Sequence, residues 1–316
     1  MLGRRQLKPD STSGSNQYQH PASLTLGELV AYKRYEKMLP LQADTSRAHQ
    51  AGSFLSPFRG RGMEFVEARP YQAGDDIRHL DWRLTARIGK PHSKIFQEER
   101  ERMVFLWVDL HPTMFFATRG AFKSVVGSHL AALIAWNGAK QGHRIGGIIT
   151  SPTHHTEVRP RQGAKGVLQF FRQLVAHPAW EAATPTTSSV TEETFMRLRR
   201  VIKPGSLIFL LSDMRRLTSK NELQLRQLAR NNDLVLCHIF DRMEKSLPPA
   251  GSYRLTDGQK EMTIHTGKTG FSKRYENAFE LRREYLQALS VKQQFHLVSV
   301  ATDCDLIHTM RSGLRG

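Results

Sequence analysis

At 316 residues with 39% hydrophobic side chains, the chain can form one large or two modest domains around a sizeable core, which excludes a wholly disordered protein. Its 46 Lys and Arg outnumber 29 Asp and Glu by a net charge of +17, so the surface attracts phosphate, anionic lipid or an acidic protein face. Only two cysteines occur, Cys237 and Cys304, far apart in sequence, which excludes a disulfide scaffold and a thiolate zinc site and suits a reducing cytoplasm. No apolar run approaches the roughly 20 residues of a spanning helix, and no signal-peptide core opens the chain, so a cytoplasmic location is expected.

Residues 1–22 are polar and rich in Ser, Gln and Arg, and are expected to form a disordered basic tail. Residues 24–39 carry Leu26, Leu29, Val30, Met38 and Leu39 at near-helical spacing, stopped by Pro40, which predicts one amphipathic helix. Residues 48–62 mix glycine and proline with Phe54, Leu55 and Phe58 and read as an irregular anchored segment whose Arg59 and Arg61 face water. From Met103 onward, short apolar runs alternate with longer helical patterns, the mark of parallel strands joined by crossover helices. The first run, MVFLWV over 103–108, leads into Asp109 and reads as a strand buried on both faces. Helix 122–140, strand 144–150, a short edge at 153–158 and helix 165–175 follow. Then come helix 192–202, strand 206–211 before Asp213, helix 221–230 and strand 234–240. A hairpin at 253–265, helix 274–289, strand 295–300 and a helical segment at 304–310 close the chain. The fold class is therefore α/β, a doubly wound, mostly parallel sheet, with ligand sites expected outside the carboxyl ends of the strands, where Asp109 and Asp213 lie. The expected division is a tail at 1–22, a small N-terminal module at 23–100 and the α/β domain at 101–316.

Familiar catalytic signatures fail. Thr266-Gly267-Lys268-Thr269 ends like a phosphate-binding loop, but Met262 stands where its first glycine would let backbone amides wrap the phosphate. Neither a GxSxG nucleophile elbow nor an HExxH helix occurs.

The informative stretch is GMEFVEARPYQAGDDIRHLDWRLTARIGKPHSKIFQEE, residues 62–99. A turn is expected over 70–74, with Asp75 or Asp76 capping a short helix and Trp82 as its one large apolar anchor. Asp75, Asp76 and Asp81 lie among Arg69, Arg78, Arg83 and Arg87, a setting for bidentate guanidinium pairs that fix a loop rather than for general acid/base catalysis. The spacing of Gly62, Glu64, Arg69, Tyr71, Gly74, Asp75, Asp76, Arg78, Asp81, Trp82, Thr85, Ala86, Arg87, Lys94, Phe96 and Glu99 closely resembles the signature of the bacterial domain of unknown function 58 family. The resemblance implies a von Willebrand factor A-like α/β domain and a partnership with a MoxR-type AAA+ ATPase, in which the chain serves as a non-enzymatic adaptor or co-chaperone. It implies a short soluble member, without the membrane spans that many relatives carry.

The resemblance also implies a divalent-cation site of the form D-x-S-x-S, with a threonine from a later loop and an aspartate after the fourth strand. The matching positions are Asp109, His111, Thr113 and Asp213, with Thr184, Thr186 or Thr187 in the loop. His111 departs from the pattern. An imidazole in place of a hydroxyl disfavours Mg²⁺, which wants hard oxygen ligands, and suits a transition metal better or marks a decayed site. Basic runs at Arg197–Arg200, Arg215-Arg216 and Arg282-Arg283 leave nucleic-acid binding as the alternative function, although no aromatic interleaving or recognition helix accompanies them.

Overall fold

The computed structural model describes residues 18–39, 41, 63–72, 77–98, 101–181, 190–249, 251–256, 261–266 and 271–314. The chain divides into two compact units, one spanning residues 44–101 and the other formed by residues 1–43 together with 102–316.

In chain order the elements are α1 (Leu26–Ala31), β1 (Met63–Pro70), α2 (Trp82–Ile88), β2 (His92–Glu98), β3 (Met103–Asp109), α3 (Lys123–Lys140), β4 (Arg144–Thr150), β5 (His155–Gln162) and α4 (Gly163–Val175). The remainder are α5 (Val190–Val201), β6 (Leu207–Ser212), α6 (Ser219–Arg230), β7 (Asp233–Phe240), α7 (Arg242–Lys245), β8 (Ser252–Thr256), β9 (Glu261–His265), α8 (Phe271–Gln293), β10 (His296–Ala301) and α9 (Leu306–Gly313).

The smaller unit carries the family-like motif. β1 and β2 pair antiparallel, Phe65 opposite Phe96, with an irregularity between Phe65 and Glu67. Between them α2 is capped by Asp81, whose carboxylate accepts from Leu84 N at 3.0 Å, and ends at Gly89, which adopts the left-handed conformation (φ 74°) that glycine tolerates best. The Thr85 hydroxyl accepts from His92 N at 3.1 Å and ties the helix to β2. Two expectations change here. Asp81, at the residue just before the helix, is its cap, and Trp82 is 66% exposed rather than buried, because the two-turn helix has no buried face. Gly62, Gly74, Asp75, Asp76 and Glu99 lie outside the described residues, as do residues 48–62.

The larger unit is built on a six-stranded sheet in the order β10-β7-β6-β3-β4-β5, parallel throughout except for β5, which pairs antiparallel with β4. Numbered among themselves, the six strands run 3-2-1-4-5-6, a doubly wound order. Alternation within β3 feeds two cores. Val104, Leu106 and Val108 face a cluster with α3 and α4, while Phe105 and Trp107 face another containing Phe195 of α5, Leu225 of α6 and Leu286 of α8. A strand buried on both faces must be apolar at every position, which is why the run 103–108 was legible.

The first residues belong to this unit. α3 is buried nearly all round, so its outer side needs a cover, and α1 with the turn after it supplies one. Trp136 Nε1 donates to Leu29 O at 3.1 Å, Asn137 Oδ1 accepts from Leu39 N at 2.8 Å, and Gln141 Nε2 donates to Leu39 O at 2.8 Å. Residues 26–39 and Leu41 thus pack with the α/β body, whereas the sequence reading grouped them with the motif module. The end of the expected tail is ordered as well: Tyr18 is 4% exposed with its ring edge-on to His129, and Phe122 N donates to Pro21 O at 2.8 Å. Residues 1–17 lie outside the described set. No helix among the described residues is long and apolar enough to cross a membrane.

Candidate functional site

β3 and β6 are neighbours, Val108 opposite Leu211, and the strand order reverses between them. A doubly wound sheet opens its crevice at that switch point. Asp109 ends one strand and Asp213 follows the other, so the four positions singled out by spacing, Asp109, His111, Thr113 and Asp213, all come to one edge. Thr184, Thr186 and Thr187 lie outside the described residues.

The Asp109 carboxylate is 3% exposed and fully engaged. Its Oδ1 accepts from His111 N at 3.0 Å and contacts the His111 Nδ1, while its Oδ2 accepts from Ser212 Oγ at 2.6 Å. Ser212 Oγ in turn accepts from Met214 N at 3.0 Å. The loop is tight enough to hold Met214 at φ 55°, a left-handed conformation that costs a side-chain-bearing residue about 1–2 kcal/mol. Arg282 of α8 clamps it from outside by donating to Met214 O and, at 2.9 Å, to Leu217 O.

Asp213 faces the other core. Its Oδ2 accepts from Lys123 Nζ at 2.9 Å and its Oδ1 from Arg215 N at 3.1 Å. Lys123 Nζ also donates to Glu244 Oε1 at 2.6 Å, and Arg215 Nη2 donates to the same oxygen at 3.0 Å. Burial alone would raise the Asp213 carboxyl, but the Lys123 ammonium and the Arg215 amide, helped by the nearby Thr113 hydroxyl, hold it below the usual carboxylate range. The same surroundings act on His238 in β7: burial, reinforced by Lys123, Arg282 and Arg215 against Asp213, brings it down to about 4.

A third acid completes the edge. Asp241, fully buried, accepts from Thr118 N and Oγ1 at 2.8 and 2.5 Å, from Met243 N at 2.9 Å and from Thr302 Oγ1 at 2.9 Å. It joins the loops that follow β3, β7 and β10. Lys123, Ser212, Asp241 and Glu244 were not among the sequence candidates, and Arg215 was read only as part of a basic run. Lys123 leaves one trace in the sequence, a lone charge at the start of a long apolar helical run.

These residues do not fit a divalent cation. Both Asp109 oxygens and the Oδ2 of Asp213 already accept from protein donors, an ammonium lies between Asp213 and Glu244, and the first hydroxyl position is an imidazole. A softer metal at His111 fares no better, since no group of three or more His, Cys, Asp or Glu among the described residues is arranged to hold an ion. A narrow crevice lined by Trp107, Asp109, His111, Phe195, Met214 and Arg216 opens on the opposite side of the sheet from Lys123.

The fold and this edge define a doubly wound α/β protein whose switch-point acids are internally saturated, joined to a small antiparallel motif unit. The chain belongs to the family described as Protein of unknown function DUF58, whose model matches residues 67–285. It is 27% identical over 244 residues to the uncharacterized proteins Rv1480 of Mycobacterium tuberculosis and Mb1516 of Mycobacterium bovis, covering 76% of this chain and 75% of each relative. Among solved structures it is similar to the conserved hypothetical protein BatB of Bacteroides thetaiotaomicron, at 12% identity and a TM-score of 0.36 over 61% of this chain and 98% of that one. It is also similar to an aerotolerance-related membrane protein of Bacteroides fragilis, at 9% identity and a TM-score of 0.42 over 68% of this chain and 97% of that one.

Proposed function

We propose that this protein is a non-enzymatic cytoplasmic adaptor that docks an acidic partner surface at the carboxyl edge of its sheet and works with a MoxR-type AAA+ ATPase in assembling or activating protein complexes. The observation that carries the docking edge is the saturation of its acids. Asp109, Asp213 and Asp241 each spend their oxygens on loop backbone and neighbouring side chains, an arrangement that stiffens a surface. Around them the same loops expose Arg119 and Lys245, cations suited to steering an acidic face into register. The ATPase as partner follows from the family resemblance of the motif at 62–99.

Native co-purification of the tagged full chain, with and without ATP, tests the reading. Recovery of an AAA+ ATPase, reduced by the charge reversals Arg119→Glu and Lys245→Glu, is the expected result. Failure to recover any AAA+ protein, together with a salt-sensitive electrophoretic shift of nucleic acid, would replace it with the nucleic-acid reading that the net charge favours.

A further inference from the structure

We infer that the Lys123 ammonium, assisted by the Arg215 guanidinium, is the resident cation of this edge, and that the protein holds its switch-point loops together without a divalent metal. Lys123 is completely buried, and its Nζ sits 2.9 Å from Asp213 and 2.6 Å from Glu244. Burying an ammonium is strongly unfavourable unless acids surround it. Its place in the chain adds to that penalty: Lys123 opens α3, where the helix dipole repels a cation and where Phe122 provides no side-chain cap. Nothing about the helix explains a lysine there; the two carboxylates do.

Within this cluster two acids meet two cations: Asp213 and Glu244 each lie against both Lys123 and Arg215. A divalent ion would have to displace Nζ to reach either acid. Mg²⁺ further demands near-octahedral oxygen ligation, whereas Asp109 keeps both its oxygens engaged with His111 and Ser212. The ammonium also does mechanical work, because Asp213 follows β6 and Glu244 lies in α7, so one side chain of α3 ties together segments that are 31 residues apart.

Two measurements on the full chain decide it. In the first, the wild-type melting temperature is compared in EDTA and in millimolar Mg²⁺ or Mn²⁺, with calorimetric titration of each ion. Midpoints agreeing within about one degree and no binding heat are expected, since any ion bound to the folded state would raise the midpoint. A rise of several degrees that disappears in Asp109→Asn would overturn the inference. In the second, Lys123→Met is compared with the triple variant Lys123→Met, Asp213→Asn, Glu244→Gln. The single change leaves two buried acids with only the half-exposed Arg215 as a cation, so the triple variant is expected to melt higher than the single one. If the triple variant melts no higher, or if the single change leaves the midpoint unmoved, the ammonium is not what these acids require.

Discussion

Replacing Asp241 by alanine should loosen three loops at once. The carboxylate accepts four hydrogen bonds, from Thr118 N, Thr118 Oγ1, Met243 N and Thr302 Oγ1, at 2.5 to 2.9 Å, and is completely buried. Hydrogen bonds to a charged group contribute about 1.5–3 kcal/mol each, but bonds sharing one acceptor are not additive. The loss is therefore on the order of 4 kcal/mol, a large part of the roughly 5–15 kcal/mol that holds a typical domain folded. For a unit of this size that corresponds to a midpoint lower by about 10 °C. Asp241→Asn, which keeps one acceptor oxygen, should lose about half as much. Urea denaturation of the wild type and both variants measures this directly. The acid dependence provides a second reading. Burial raises the Asp241 carboxyl, yet the bonds from Thr118, Met243 and Thr302 outweigh it and depress it below its ordinary value. Its stabilisation is therefore present above the unfolded carboxylate range near pH 4 and is lost as pH falls through the lower folded value, so the gap between wild type and Asp241→Ala should close in strong acid. An alanine variant within about 1 kcal/mol of wild type at neutral pH would refute the reasoning.

Three further outcomes are expected. His129, His177 and His238 are each brought down to about 4, chiefly by burial, so the folded state keeps them neutral while the unfolded chain takes up protons below about pH 6.5; stability should fall between pH 6.5 and 4, by at most about 3 kcal/mol per histidine, and His238→Gln should flatten the slope in a denaturation series across that window. Gly147→Ala should destabilise by about 1–3 kcal/mol in chemical denaturation, because the added Cβ would meet the Leu106 carbonyl oxygen of the adjoining strand at 2.1 Å. Asn137→Ala removes the acceptor for Leu39 N and the donor to Tyr35 O, and should release the segment after α1, read as faster amide exchange at Leu39 and a loss of about 1–3 kcal/mol.

The α/β class, the strand runs and the helices between them were legible from the chain, because a strand covered on both faces must be apolar throughout and a helix on a sheet must show a stripe. β4 matches its expected span, and β3, β6 and β7 lie within a residue or so of theirs. Asp109 and Asp213 were also legible as strand-end acids, since that position depends only on where each run stops. What held those acids was not. Lys123 meets Asp213 and Glu244 across 90 and 121 residues, and Asp241 meets Thr118 across 123, distances over which local spacing carries no information. The destination of α1 was hidden for the same reason, because an amphipathic face announces that it will be buried without naming the body that buries it. A lysine in a sequence reads as a solvated charge; only the folding of two distant acids around it turns that ammonium into the buried centre of the edge.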